Sequence, residues 1–193
     1  MGQIPPLRIL KACKWQANTV RHPRAAHPTK LLRFILYSAS RVLYSILSMT
    51  DDGNKAVKQA RLFAEALQLE DYQAARDLLA PECVYFQLAR DLKGPKAVID
   101  SYKQGAKWGI DQFDSVERES SVKPTEDGRA LLTFFYKIRH KGKSLRFRSE
   151  QIIELDAAGL IGRIEHIELA SQANALFKFY FETGIISKSG DGS

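Results

Sequence analysis

The stretch RALLTFFYKIRHKGKSLRFRSEQIIEL, residues 129–155, decides the fold. Within it Leu132, Phe134, Tyr136 and Ile138 occupy every second position, with Thr133, Lys137 and Arg139 beside Leu131 and Phe135 between them. A period of two sends alternate side chains to opposite sides of an extended chain, so this segment reads as a strand with one apolar face. Lys141-Gly142 supplies a two-residue turn, after which Phe147, Ser149, Gln151, Ile153 and Leu155 continue the alternation over residues 144–155. The pair is an antiparallel hairpin.

Working outward, residues 113–123 read as the preceding strand and residues 160–169 as the following one, joined through turns at 124–128 and 156–159. Upstream the period lengthens. Ala56, Ala60, Phe63, Ala64 and Leu67 recur at helical spacing over residues 55–69, and Asp71 is placed to cap a short helix that faces Ala75, Leu78 and Leu79 inward and stops at Pro81. Residues 83–88 read as a strand. Gly94-Pro95 opens a third helix, with Val98, Ile99, Tyr102 and Ala106 on one face, which Gly109 closes. Helices followed by a run of strands predict an α+β domain, three helices covering one face of a curved, mainly antiparallel sheet. Such a cone leaves a pocket where the two layers do not meet. Residues 171–183, with Leu176, Phe177, Phe179, Tyr180 and Phe181, form a final helix whose aromatic groups cover the cone mouth or a second subunit.

Charge divides the chain differently. Of 29 basic residues, eight precede Met49, whereas all 22 acidic residues lie beyond it. Residues 1–48 therefore carry +8, and the remainder of the chain, with 21 basic against 22 acidic groups, brings the net charge to +7. Residues 1–48 are expected to be a disordered basic leader, resembling a transit peptide, or to lie upstream of a true start at Met49. The domain spans 49–186 and a flexible tail 187–193. Arg33 and Arg41 interrupt the most apolar part of the leader, which excludes a membrane span and leaves at most contact with an anionic membrane surface. One cysteine, Cys83, lies in the domain, which fits a reducing cytoplasm.

Several motifs, taken in order, resemble one family. They are Glu70-Asp71-Tyr72, Gly94-Pro95-Lys96-Ala97-Val98-Ile99, Tyr102-Lys103-Gln104-Gly105 and the closing Asp156-Ala157-Ala158-Gly159-Leu160-Ile161. Over about residues 55–170 the chain resembles the nuclear transport factor 2-like superfamily, and within it the SnoaL-like polyketide cyclases and ketosteroid isomerases. That resemblance implies a cone with an apolar pocket, a small apolar ligand, and a homodimer. Matched motif by motif, the isomerases' general base falls at Gln87, their helix-one tyrosine at Phe63 and their oxyanion aspartate at Gln151. An amide does not take a proton near neutral pH and a phenyl ring donates no hydrogen bond, so isomerase chemistry of that type is not expected. Tyr102 stands where the family has a pocket tyrosine.

The same resemblance implies that Ile164, His166 and Glu168 turn into the cone, and a carboxylate two residues from an imidazole can orient or charge it. One reading makes His166 and Glu168 the catalytic pair of a lyase, cyclase or isomerase; the other makes them an ordinary strand end. Trp108, Phe134 and Tyr136 line or close the pocket, or are simply core. With Phe63, Gln87, Tyr102, Gln151 and Ile164 they make the candidate ligand-binding set. Lys137, Arg139, Lys141, Lys143, Arg146 and Arg148, interleaved with aromatics, suit nucleic acid. Glu117, Glu119, Glu150 and Glu154 on neighbouring strands favour charge pairing instead. Gly142-Lys143-Ser144 lacks the earlier glycine of a phosphate loop and is a turn. Cys83 reads as a buried hydrophobe, and no metal or other cofactor is expected.

Overall fold

The computed structural model describes residues 55–87 and 90–186. The leader at 1–48 and the tail at 187–193, with the expectations attached to them, lie outside these residues.

Helix α1 (Lys55–Gln68) is amphipathic, burying Ala56, Val57, Ala60, Phe63, Ala64 and Leu67. Small alanines on that stripe let its backbone approach the sheet closely. Helix α2 (Tyr72–Asp77) is capped as expected: the Asp71 carboxylate accepts a hydrogen bond from the Ala74 amide at 3.0 Å. Pro81 does not end this helix. The chain leaves it at Asp77 and enters strand β1 (Leu79–Phe86), which carries the proline at an exposed position. The pairing of β1 shifts register between Leu79 and Val84, and a proline, lacking a donor, is tolerated at such an irregularity. A short β2 (Asp91–Lys93), not anticipated, pairs back on β1.

Helix α3 (Pro95–Gln112) begins where Gly94-Pro95 predicts, but Gly109 lies inside it. That glycine is buried, with the Val116 methyl an ordinary van der Waals 3.7 Å from where a Cβ would stand, and the helix runs on through it to Gln112. Phe113 consequently caps the helix instead of starting a strand. Strands β3 (Ser115–Pro124), β4 (Ala130–His140), β5 (Lys143–Leu155) and β6 (Ile161–Ile167) then form an antiparallel meander. Positive φ at Lys141 (48°) and Gly142 (77°) identifies the predicted two-residue turn.

The six strands run in the order β2-β1-β6-β5-β4-β3, with β1 parallel to β6. Helices α1 and α3 pack on one side of the sheet. On that inner side lie Leu132, Phe134 and Ile138 of β4, Gln151 and Ile153 of β5, Ile164 of β6 and Cys83 and Tyr85 of β1, all buried. The predicted alternation of β4 and β5 therefore holds. The fold is α+β, as expected from the order of elements. A final helix α4 (Ala170–Thr183) ends at Gly184 in the left-handed conformation (φ 73°). It buries Phe179 against Phe113 and Ile138, with Trp108, Val116, Leu145, Phe147, Leu176 and Tyr180 around them, so it covers one end of the inner face. Phe177 of this helix remains 52% exposed.

Candidate functional site

A polar chain crosses the inner face. The Tyr102 hydroxyl on α3 donates to Gln151 Oε1 on β5 at 2.8 Å, and Gln151 Nε2 donates to the Tyr85 hydroxyl on β1 at 3.0 Å. The two tyrosine rings stack nearly parallel, 5.6 Å between centroids and 6° between planes. Phe63 packs edge-on against Tyr102 at 5.6 Å. Nearby, Gln87 Nε2 donates to the Ser101 hydroxyl at 3.1 Å. Gln151 is 3% exposed, so its amide is satisfied by phenols rather than by water.

Burial sets the acid–base character of this group. It raises the Tyr85 phenol above its ordinary value, against a weaker opposing hydrogen bond from Gln87, and raises Tyr102 well above its own. Both are therefore protonated donors at neutral pH. A protonated phenol that accepts from Gln151 still has its own proton to give, so Tyr85 can serve a further acceptor. Tyr136 is raised by burial too, opposed by the charge of Arg118. Its ring stacks on Phe147 at 4.8 Å and 12°.

His166 stands directly opposite Gln151 in the β5–β6 register and is partly buried. Burial lowers its imidazole from the ordinary value, and the charge of Glu168 opposes this. The pair is not joined: Glu168 lies beyond the end of β6 and is exposed, and among the described residues no hydrogen bond or ion pair links it to His166.

The sequence-predicted set thus divides by place. Tyr102, Gln151 and Gln87 fall into one polar cluster, with His166 on the strand next to Gln151. Phe63, Phe134 and Ile164 are at most 2% exposed and packed in the main core. Trp108 belongs to the second apolar cluster, edge-on to Phe113 at 5.4 Å and to Tyr180 at 5.5 Å. Two inner-face residues escaped sequence reasoning, Tyr85 and Arg118. Arg118 alternates in phase with Val116, Ser120 and Val122, and that phase was the available signal. For Tyr85 the signal was its place two residues before Gln87, which sends both side chains to one face of a strand.

Three residues of the basic hairpin pair with carboxylates: Lys137 with Glu117 at 3.0 Å across the β3–β4 register on the outer face, Arg148 with Glu150 at 3.0 Å along β5, and Lys143 with Glu182 of α4 at 3.0 Å. Cys83 is fully buried, its thiol pushed up to about 11 by burial. No group of three or more metal-ligating side chains occurs among the described residues, and none of their helices is long and apolar enough to cross a membrane. A separate groove of about 280 Å³ lies between α2 and α3, lined by Tyr72, Arg76, Lys96, Ile99, Asp100 and Lys103 among others.

Neither a protein-family model nor a curated protein matches the chain. Solved structures do. Bal32a, from a soil-derived mobile gene cassette, aligns with a TM-score of 0.52 at 15% identity, over 68% of this chain and all of its own. The chain has the nuclear transport factor 2-like fold. Other structures similar to it include the Mycobacterium tuberculosis protein RV0760c in complex with estradiol-17β-hemisuccinate (TM-score 0.47, 14% identity, 62% of this chain and 97% of that one). An NTF2-like protein from Exiguobacterium sp. 255-15 aligns at a TM-score of 0.41 and 15% identity, over 60% of this chain and 96% of its own. At such identities the likeness concerns the nuclear transport factor 2-like fold and assigns no chemistry.

Proposed function

We propose that this chain binds a small, largely apolar molecule against the inner face of its nuclear transport factor 2-like fold, and holds one oxygen of it by hydrogen bonds. The observation that supports this is the Tyr102–Gln151–Tyr85 chain, a row of neutral polar groups set among the apolar side chains of that face. Neutral donors suit a carbonyl or hydroxyl oxygen. The flanking part-buried groups, Tyr136, Phe147, His166 and Trp108, supply the apolar wall. With Gln87 and Gln151 at the positions matched to base and oxyanion aspartate, recognition is favoured over proton abstraction.

A second reading is general-base chemistry at His166. The lowered imidazole is neutral at pH 7, as a base must be, and it stands across from Gln151. The same proposal includes a homodimer, to be read by light scattering as a mass of two chains, and a cytoplasmic location in keeping with the lone buried thiol.

The test uses prodan, an environment-sensitive naphthyl ketone. The protein should bind it with a blue-shifted emission, and Tyr85→Phe should weaken binding by about fivefold to tenfold, the worth of one hydrogen bond of about 1 kcal/mol. Absence of any shift at millimolar protein, or an unchanged affinity in a folded Tyr85→Phe variant, would count against the proposed anchor.

A further inference from the structure

Arg118 is a cation with no carboxylate partner among the described residues. Its position on β3 is opposite Tyr136 of β4, on the inner face. The guanidinium reaches the last turn of α1, where Nη2 donates to the Leu67 carbonyl, and its central carbon sits 5.9 Å from the Phe134 ring centroid. Gln68 holds the same stretch of β3, donating to the Arg118 carbonyl at 3.3 Å and accepting from the Ser120 hydroxyl at 3.1 Å. The arginine is thus fixed at both its backbone and its head.

The acids next to it on β3, Glu117 and Glu119, alternate to the outer face, and Glu117 is engaged with Lys137. A partly buried charge is costly unless something answers it. Here a helix C-terminal carbonyl and an aromatic ring answer it in part. One N–H of a five-donor group is spent on Leu67 and the Tyr136 hydroxyl takes a hydrogen bond from the guanidinium as well, and the donors left over suit a carboxylate. The Tyr136 hydroxyl lies close enough to Arg118 to feel its charge, so a second donor stands beside the fork.

Resting on the ligand-binding reading above, we infer that the molecule bound at this face carries an acidic group, a carboxylate or an equally charged oxygen, which pairs with Arg118. The apolar body then lies along Phe147 and Tyr136, and any neutral oxygen reaches Tyr85. Arg118 is a specificity residue that selects the acid over its neutral analogue.

The experiment compares naphthoate with its neutral isostere naphthamide on the full chain. Wild-type protein should bind naphthoate at least about tenfold more tightly than naphthamide, a preference that shrinks as salt is raised. Arg118→Lys should keep part of the preference. Arg118→Met should abolish it by weakening naphthoate more than naphthamide. Equal affinity for acid and amide in the wild-type protein overturns the inference and leaves the ligand site intact. A preference retained in Arg118→Met overturns it as well. If neither compound binds, both this inference and the reading beneath it fail. Should Arg118→Met not fold, having lost its bond to Leu67, the wild-type comparison and its salt series decide the matter.

Discussion

Gln151 is where the inner-face network can be broken most informatively. Gln151→Leu removes the acceptor of the Tyr102 hydroxyl and the donor to Tyr85 in one step. A buried polar group stripped of its partner costs about 1–3 kcal/mol, and Tyr85 keeps Gln87 beside it, so the variant should lose about 2–4 kcal/mol. Tyr102→Phe strands only Oε1 of Gln151 and should cost about 1–2 kcal/mol. In the double variant nothing remains to be stranded at that bond. Its cost should fall below that of Gln151→Leu alone, a coupling of at least about 1–2 kcal/mol between the two sites. Urea unfolding followed by fluorescence gives all three values, provided the slope of the transition is unchanged. Additivity within about 0.5 kcal/mol would show that the amide and the phenol do not depend on each other, and the account of the relay would be wrong.

Three other outcomes are expected from the geometry. Gly94→Ala should destabilise by about 2 kcal/mol, because φ 80° with ψ 153° is a conformation that only glycine adopts readily; equal stability in urea would contradict this. His166, whose folded imidazole lies below its unfolded value, binds its proton first in the unfolded chain. Stability should therefore be complete above the ordinary histidine value of about 6.5 and fall as pH drops through the window below it, and His166→Gln should flatten that slope; a flat wild-type profile, or an NMR titration at or above the ordinary value, would reject it. In a Cys13→Ser background the Cys83 thiol, pushed up to about 11 and fully buried, should resist a disulfide reagent at pH 8 until urea unfolds the chain, whereas prompt labelling would place it at an accessible surface.

The strands and their faces were legible because each is long and half-buried, so alternation alone assigned Phe134, Gln151 and Ile153 to the core side. Helix ends were less so. Pro81 and Gly109 carry the usual sequence signs of termination, yet one sits in a strand at a register irregularity against the distant β6 and the other inside a helix that runs on to Gln112. The site was readable at Gln151 and Tyr102. Tyr85 and Arg118 shared the phase of Gln87 and of Val116 and Val122, but what each touches depends on pairing: Tyr85 reaches Gln151 across a parallel pairing between segments some eighty residues apart, and Arg118 reaches back to α1.

That parallel pairing bears on how the chain is made. Strand β1 leaves the ribosome early, but β6, the partner linking it to the long meander, is synthesised only after β3, β4 and β5. The meander pairs neighbour to neighbour and can form as it emerges, whereas β1 must hold its apolar face, Cys83 and Tyr85 included, until the sixth strand inserts between it and β5. The Gln151–Tyr85 bond bridges those two halves of the sheet, so it closes only once β6 has been synthesised.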